Sequence, residues 1–406
     1  MNTRLALTSE RVITGERIIP HGVVLTEGER ILAVGRAGEF ALPVDAERVD
    51  LGAGILCPGL VDIHAHGGDG ADSNDGTPEA VRTVARRHLR AGTTSLLPTT
   101  STAPLEAVWR AYDAIIVAQE RWTYGDGARL LGIHSEGNWF AVSQRGAHAA
   151  ELLGPPTPAV QERLLSYAPH LARVTLAPEL DGALDLIRAL AARGVLVSGG
   201  HSDALYAEVC RAMEAGMRHI THLWSGMSML RRIGPKRYSG MLEAALIEDG
   251  LTGEIIADGY HLPTSLMKMA YRLKGPEKLC LVSDAMQASG LGPGEYQIGG
   301  LRAVVEPGYE VAVLLDRTAF AGSVSTVAQC LQHVVQVVGI GLLDAVRMAT
   351  TTPARIVGRD DIGRIAPGAY ADLVVLSPDT LLPQRILQGG RWLSASAEFE
   401  PRHSLV

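Results

Sequence analysis

The chain has 406 residues, 47% of them hydrophobic, with 45 glycines, which is material for one large barrel with additions or for two to three ordinary domains. A small scaffold held by disulfides is excluded. Thirty-seven Lys and Arg against 44 Asp and Glu leave a net charge of −7 and no long run of like charge, which argues against a nucleic-acid partner.

The first fifty residues read as short strands at 12–13, 22–26 and 30–34, separated by turn formers such as Gly15, Gly28 and Gly35. From residue 60 to 283 the pattern changes to short apolar runs alternating with segments of helical period. The runs fall at 61–64, 94–97, 130–134, 174–177, 196–198, 219–221, 254–257 and 279–283. Helices are predicted between them at 78–90, 105–121, 158–167, 184–193, 204–215, 241–248 and 263–273. Eight such βα repeats predict a closed (β/α)8 barrel of the TIM type, in the α/β class. Further helices are predicted over 324–338 and 342–349, after which 371–376 and 391–393 return to strand patterning. The expected organisation is a barrel over 57–359 and a small discontinuous β-sandwich domain made of 1–56 and 360–406.

Cys57, Cys210, Cys280 and Cys330 are scattered in apolar surroundings without CxxC spacing, so neither a disulfide framework nor a cysteine-rich zinc site is expected, and a reducing cytoplasm fits. No run of 18 apolar residues occurs, so no signal peptide or membrane partner is expected.

The ionisable residues are not spread evenly. His64, His66, His134, His201 and His222 sit at or just beyond the ends of four of the eight runs, and Glu136 and Asp284 close the third and eighth. In a parallel barrel all those ends open on one face, where this architecture places its chemistry. Alternation along a strand turns His64 and His66 to the same side, so both imidazoles can reach one cation. An HxH triplet alone is a common surface pattern; joined by Glu136, His201 and His222 it becomes a set of nitrogen and oxygen donors that suits zinc or iron. His219 and His134 are expected to pack or to support the site rather than ligate. Asp284 follows the apolar 281–282 and is placed to ligate or to carry protons.

A barrel with HxH on strand one, histidines ending strands five and six, and an aspartate ending strand eight resembles the amidohydrolase superfamily. Many of its members bridge two metals with a carboxylated lysine on strand four, but the only lysines here are Lys236, Lys268, Lys274 and Lys278. With Glu136 in the bridging role, the chain is similar to the N-acetylglucosamine-6-phosphate deacetylase family. Residues 58–64, 91–94, 175–179, 256–261, 283–286 and 321–323 carry the likeness, and 363–375 matches a block of the wider superfamily.

That resemblance implies metal-dependent hydrolysis of the acetamide of N-acetylglucosamine 6-phosphate to glucosamine 6-phosphate and acetate. It implies one or two divalent ions, zinc or iron, with Glu136, His201 and His222 as the main site and His64 and His66 as a second. Asp284 would be the catalytic acid and base. Substrate contacts would come from Ala147, His148, Ser225, Gly226, His261, Phe320, Ala321, Gly322 and one of Arg231 or Arg232, with Arg232 preferred. The implied partners are a phosphorylated amino sugar and a second copy of the chain in a homodimer.

Two departures bear on the substrate. The family usually has Asn-Ala where Ser225-Gly226 stands, and a proline and an aromatic where Asn138-Trp139 stands. Another N-acetyl amino sugar is therefore the alternative substrate, such as N-acetylgalactosamine 6-phosphate or an unphosphorylated acetamido sugar. A non-catalytic scaffold of the same fold is the alternative of another class.

Overall fold

The structure, a computed structural model, describes residues 3–393. Eight parallel strands follow one another round a barrel: β1 (Leu60–Ala65), β2 (Thr93–Thr100), β3 (Ile133–Glu136), β4 (Leu171–Leu176), β5 (Leu196–Gly199), β6 (His219–Ile220), β7 (Thr252–Ile256) and β8 (Leu279–Val282). Each pairs with the next in parallel register from β1 to β8. The seam between β8 and β1 closes by other means. The Asp284 N–H donates to the His64 carbonyl (2.9 Å), and buried Asp62 accepts from the Ser283 N–H (3.3 Å) and hydroxyl (2.5 Å).

Seven helices lie where the apolar periodicity predicts them: α1 (Pro78–Arg90), α2 (Leu105–Glu120), α3 (Pro158–Ser166), α4 (Ala183–Ala191), α5 (Tyr206–Ala215), α6 (Met241–Ile247) and α7 (Thr264–Lys274). In α1 the Thr77 hydroxyl accepts from the Ala80 N–H and Pro78 supplies a preset first turn. Val81, Val84, Ala85, His88 and Leu89 then form the buried stripe.

Beyond β8 the chain makes a sheet that the sequence reading did not anticipate, four antiparallel strands at Gly294–Ile298, Leu301–Val305, Val311–Leu314 and Phe320–Ser323. Its own small core contains Met286, Ile298, Ala303, Val305, Leu314 and Ala321. The helix expected from residue 324 starts instead at Val327, because Thr326 and Gln329 cap it reciprocally, so α8 spans Val327–His333. It runs on into a π turn at Val334–Val338, followed by α9 (Leu342–Ala349) and α10 (Thr351–Ile356).

Both ends of the chain build a separate eight-stranded sheet. Leu373–Leu376 pairs antiparallel with Ile55–Pro58, which pairs in parallel with Arg4–Ile13, so the C-terminal strands join the N-terminal ones directly. Leu5, Leu7, Val12, Val24, Leu56, Leu373, Val375 and Leu387 form its core. Residues 394–406 of the expected small domain lie outside the described residues.

Candidate metal centre and cavity

The C-terminal ends of β1, β3, β5, β6 and β8 converge. Nε2 of His64 and of His66 both lie 3.0 Å from Oε2 of Glu136, and these two nitrogens are 3.3 Å apart. On the other side of the same carboxylate, Nε2 of His222 and of His201 lie 3.2 and 3.6 Å from Oε1, and 3.1 Å from each other. Glu136 therefore belongs to two groups that could each hold an ion, His64–His66–Glu136 and Glu136–His201–His222. All five side chains are buried.

The outward nitrogens show which ring atoms carry protons. His201 Nδ1 faces the Gln144 carbonyl at 2.9 Å, an acceptor only, so Nδ1 is protonated and Nε2 presents a lone pair. His64 Nδ1 faces the Glu254 carboxylate at 2.6 Å, with the same consequence, and His66 Nδ1 faces the Ser101 hydroxyl at 3.0 Å. The Nε2 lone pairs of His64 and His201 thus face a carboxylate whose Oε1 is buried and has no hydrogen-bond partner among the described residues. Such an arrangement is repulsive unless cationic charge sits among the five side chains, so these residues fit divalent metal.

The electrostatics agree. Burial works against a charged His64 ring, but Glu136, Glu254 and Asp284 outweigh it and hold His64 well above the ordinary histidine range. His66 is likewise opposed by burial, yet Asp284 and Glu136 raise it to about 9. Burial pushes the Glu136 carboxyl up, while His64, His201 and His222 overcome it and hold it well below the usual carboxylate range. The carboxylates thus favour positive charge at His64 and His66.

A third cluster, His219, Glu254 and Cys280, also has metal-like spacing. It is already occupied by charge: the fully buried Arg173 guanidinium donates to both Glu254 oxygens, at 2.7 and 3.1 Å. Burial also keeps the Cys280 thiol well above its ordinary pKa.

Beside these two groups opens a cavity of about 190 Å³, lined by His66, Glu136, Gly146, Ala147, His148, His201, His222, Ser225, Gly226, His261, Asp284, Ile298, Ala319, Phe320 and Gly322. Asp284 Oδ1 lies 3.3 Å from Nε2 of both His64 and His66. Burial favours its neutral form, but the surrounding histidines hold its pKa below the ordinary value, so it stands ready as a proton acceptor. His148 engages the Thr102 hydroxyl through Nδ1 (2.8 Å) and is kept neutral, first by burial and then by His201. His261 is tied through Nδ1 to Asp258 (2.7 Å) and packs on the Phe320 ring, 4.9 Å between centroids.

Backbone strain gathers here too. His201, His222, Trp224, Asp284 and Asn138 all have φ between +22° and +71°. A left-handed conformation costs a non-glycine residue roughly 1–2 kcal/mol, and such residues concentrate where function over-determines the backbone.

Of the expected site residues, His64, His66, Glu136, His201, His222 and Asp284 come together, and Ala147, His148, Ser225, Gly226, His261, Phe320 and Gly322 share their cavity. Two expected contacts lie elsewhere. Ala321 is buried in the core of the antiparallel sheet rather than on the cavity wall. Arg232 is exposed on a hairpin, Arg231–Ile233 with Lys236–Tyr238, where its Nε donates to the Gly234 carbonyl, and it is not among the residues that line this cavity. Arg231 is tied to Asp203 at 2.6 Å. His134 is held between the Thr99 and Thr175 hydroxyls and His219 between Thr252 and Glu254, so neither belongs to the two groups that share Glu136. Sequence reasoning missed Ile298 and Ala319 on the cavity wall, and the supporting residues Ser101, Thr102, Gln144, Arg173 and Glu254. Only Glu254, a lone acid opening the apolar run 254–257, left a visible signal.

Residues 55–399 match the amidohydrolase family. An N-acetylgalactosamine-6-phosphate deacetylase from Escherichia coli O157:H7 is 34% identical over 86% of this chain and 90% of its own length. An N-acetylglucosamine-6-phosphate deacetylase from Vibrio furnissii is 33% identical over 94% and 93%. A solved N-acetyl-D-glucosamine-6-phosphate deacetylase mutant from Mycobacterium smegmatis, in complex with N-acetyl-D-glucosamine-6-phosphate, superposes with a TM-score of 0.88 at 32% identity, covering 96% of this chain and 99% of that one.

Proposed function

Because the chain belongs to the amidohydrolase family and, within it, to the N-acetylglucosamine-6-phosphate deacetylases, we propose that it hydrolyses the acetamide of N-acetylglucosamine 6-phosphate to glucosamine 6-phosphate and acetate. The observation that carries this reading is the convergence of His66, His201, His222, Glu136 and Asp284 on the wall of a single cavity, with His64 buried against Glu136 and Asp284.

An amide is a poor electrophile and water a poor nucleophile near neutral pH. Glu136, His201 and His222 would hold one divalent ion, and His64, His66 and Glu136 a second; so bound, the metal would supply the chemistry that answers both, lowering the pKa of water toward ~7 and polarising the carbonyl. Zinc suits this donor set best. Asp284 takes the proton from the attacking water and returns it to the amine nitrogen as the C–N bond breaks. His148, neutral and held at Nδ1, offers Nε2 to the carbonyl oxygen as negative charge develops there. His261, anchored by Asp258, offers its remaining nitrogen to the sugar phosphate, and Phe320 forms a wall beside it.

We assign the arginine contact to the phosphate, and the oligomeric state, together. Met229, Leu230, Ile233 and Tyr238 are exposed on and beside the basic hairpin. A homodimer would cover them and direct Arg232 toward the neighbouring cavity. No helix among the described residues is long and apolar enough to cross a membrane, and all four cysteines are free thiols, which accords with a cytoplasmic enzyme.

The test is acetate release by metal-reconstituted protein given N-acetylglucosamine 6-phosphate, N-acetylgalactosamine 6-phosphate and unphosphorylated N-acetylglucosamine in parallel. The first should turn over fastest, and loss of the phosphate should cost ~2–5 kcal/mol of transition-state binding. Equal rates with and without phosphate would remove the phosphate role; no turnover on any, with metal bound, would reassign the substrate.

A further inference from the structure

The two ion-holding groups share Glu136 but are supported differently. His201 Nδ1 donates to a neutral backbone carbonyl, and His222 Nδ1 has no hydrogen-bond partner among the described residues. His64 Nδ1 alone meets a carboxylate, Glu254, at 2.6 Å. That carboxylate is fixed from the far side of the barrel. Arg173, on β4, donates to both of its oxygens, to the Ser198 and Thr221 hydroxyls and to the Ile63 carbonyl. Reaching from β4 to β1, the guanidinium spans the barrel interior, and both Arg173 and Glu254 are fully buried.

We propose that Glu254, clamped by Arg173, is a positioning residue that selects for a divalent cation at the His64–His66–Glu136 group. The inference rests on the metal assignment made under Proposed function and deepens it. A charged acceptor on Nδ1 fixes the tautomer, orients the ring and makes Nε2 a stronger donor; removing such a partner typically weakens metal binding about 10–100-fold. The effect is confined to one group. Glu254 touches the other only through the His222 backbone N–H (3.1 Å), and the flanking Thr221 and Leu223 N–H groups are separately bonded to Gly199 and to the Glu254 carbonyl. A buried ion pair with no functional task would show no such preference.

The experiment titrates the metal-free full chain with zinc against a competing chelator and records the visible spectrum of the cobalt(II)-substituted protein. Wild type should take two equivalents. Glu254→Asp keeps Arg173 paired but withdraws the carboxylate from His64; it should hold one equivalent as wild type does and bind the other about 10–100-fold more weakly. Its cobalt spectrum should approach that of His64→Gln. Should Glu254→Asp fail to fold, the double variant Arg173→Met with Glu254→Gln removes both buried charges together and carries the same expectation. Unchanged affinity for both equivalents, or equal loss of both, overturns the positioning role while leaving the metal ligands standing. A wild-type protein that takes fewer than two equivalents overturns the two-group assignment itself.

Discussion

At the scale of single residues, Asp284 offers the cleanest test because its backbone constrains which substitution is informative. Its φ of +48° is tolerated by asparagine far better than by alanine, so Asp284→Asn removes the titrating oxygen without adding strain. The variant should fold, keep its metal and lose about 10²–10⁴-fold in acetate release, as expected for a lost general acid–base group. Near-normal turnover would refute the role. Gly226 makes the converse case. A Cβ there would lie 2.5 Å from His201 Nδ1 and 3.0 Å from the Gln144 carbonyl, and its φ is +55°. Gly226→Ala, although it restores the residue usual in the family, should push His201 from its place and lower the bound metal measured by elemental analysis. The convergence of the proposed ligands was legible in the sequence, because strand alternation puts His64 and His66 together and strand ends carry Glu136, His201 and His222 to one face. The residues that set their tautomers were not. Ser101, Gln144 and Arg173 acquire meaning only from contacts made across 35, 57 and 81 positions, as in Ser101 to His66, Gln144 to His201 and Arg173 to Glu254.

At the scale of elements, the barrel strands and helices announce themselves because each buries a periodic apolar face against the same core. The antiparallel sheet at Gly294–Ser323 does not, because half of its residues face solvent and its core is small, and it is interrupted by turns at Gly299-Gly300 and Gly308. Yet this sheet supplies Ile298, Ala319, Phe320 and Gly322 to the cavity and so decides the shape of its mouth. The metal groups, held by the barrel strands, therefore speak more firmly to the chemistry than to the sugar. Phe320, half exposed and packed against His261, is the informative side chain. Phe320→Ala should raise KM about two- to tenfold, the loss of an aromatic contact worth ~0.5–1.5 kcal/mol, with kcat little changed. A fall in kcat with constant KM would place Phe320 in the chemical step rather than in binding.

At the scale of the whole molecule, the burial of so many histidines makes stability a function of pH with two opposing limbs. His88 and His219 are held down to about 4, and His134 and His148 well below the ordinary range, in each case first by burial. The unfolded chain protonates these rings near pH 6.5 and the folded chain only at much lower pH, so between those values the unfolded state binds more protons. Acidification from 6.5 toward 4 therefore destabilises the fold, by ~1.4 kcal/mol per pH unit for each ring. Glu136 and Glu254, both depressed, extend the loss to lower pH, since their stabilisation is present above ~4.3 and disappears as they protonate. His64 and His66 have the opposite sign. Raised in the folded state, His66 to about 9, they stabilise metal-free protein below pH 6.5, and that contribution is lost as pH rises through the folded values. Bound metal takes the place of those protons, so it should abolish the alkaline limb and leave the acid one. Melting temperatures taken from pH 5 to 9 should thus peak near neutrality for metal-free protein and hold level toward pH 9 for zinc-loaded protein. A metal-free profile that stays flat from pH 6.5 to 9 would mean that His64 and His66 do not hold protons where the cations belong.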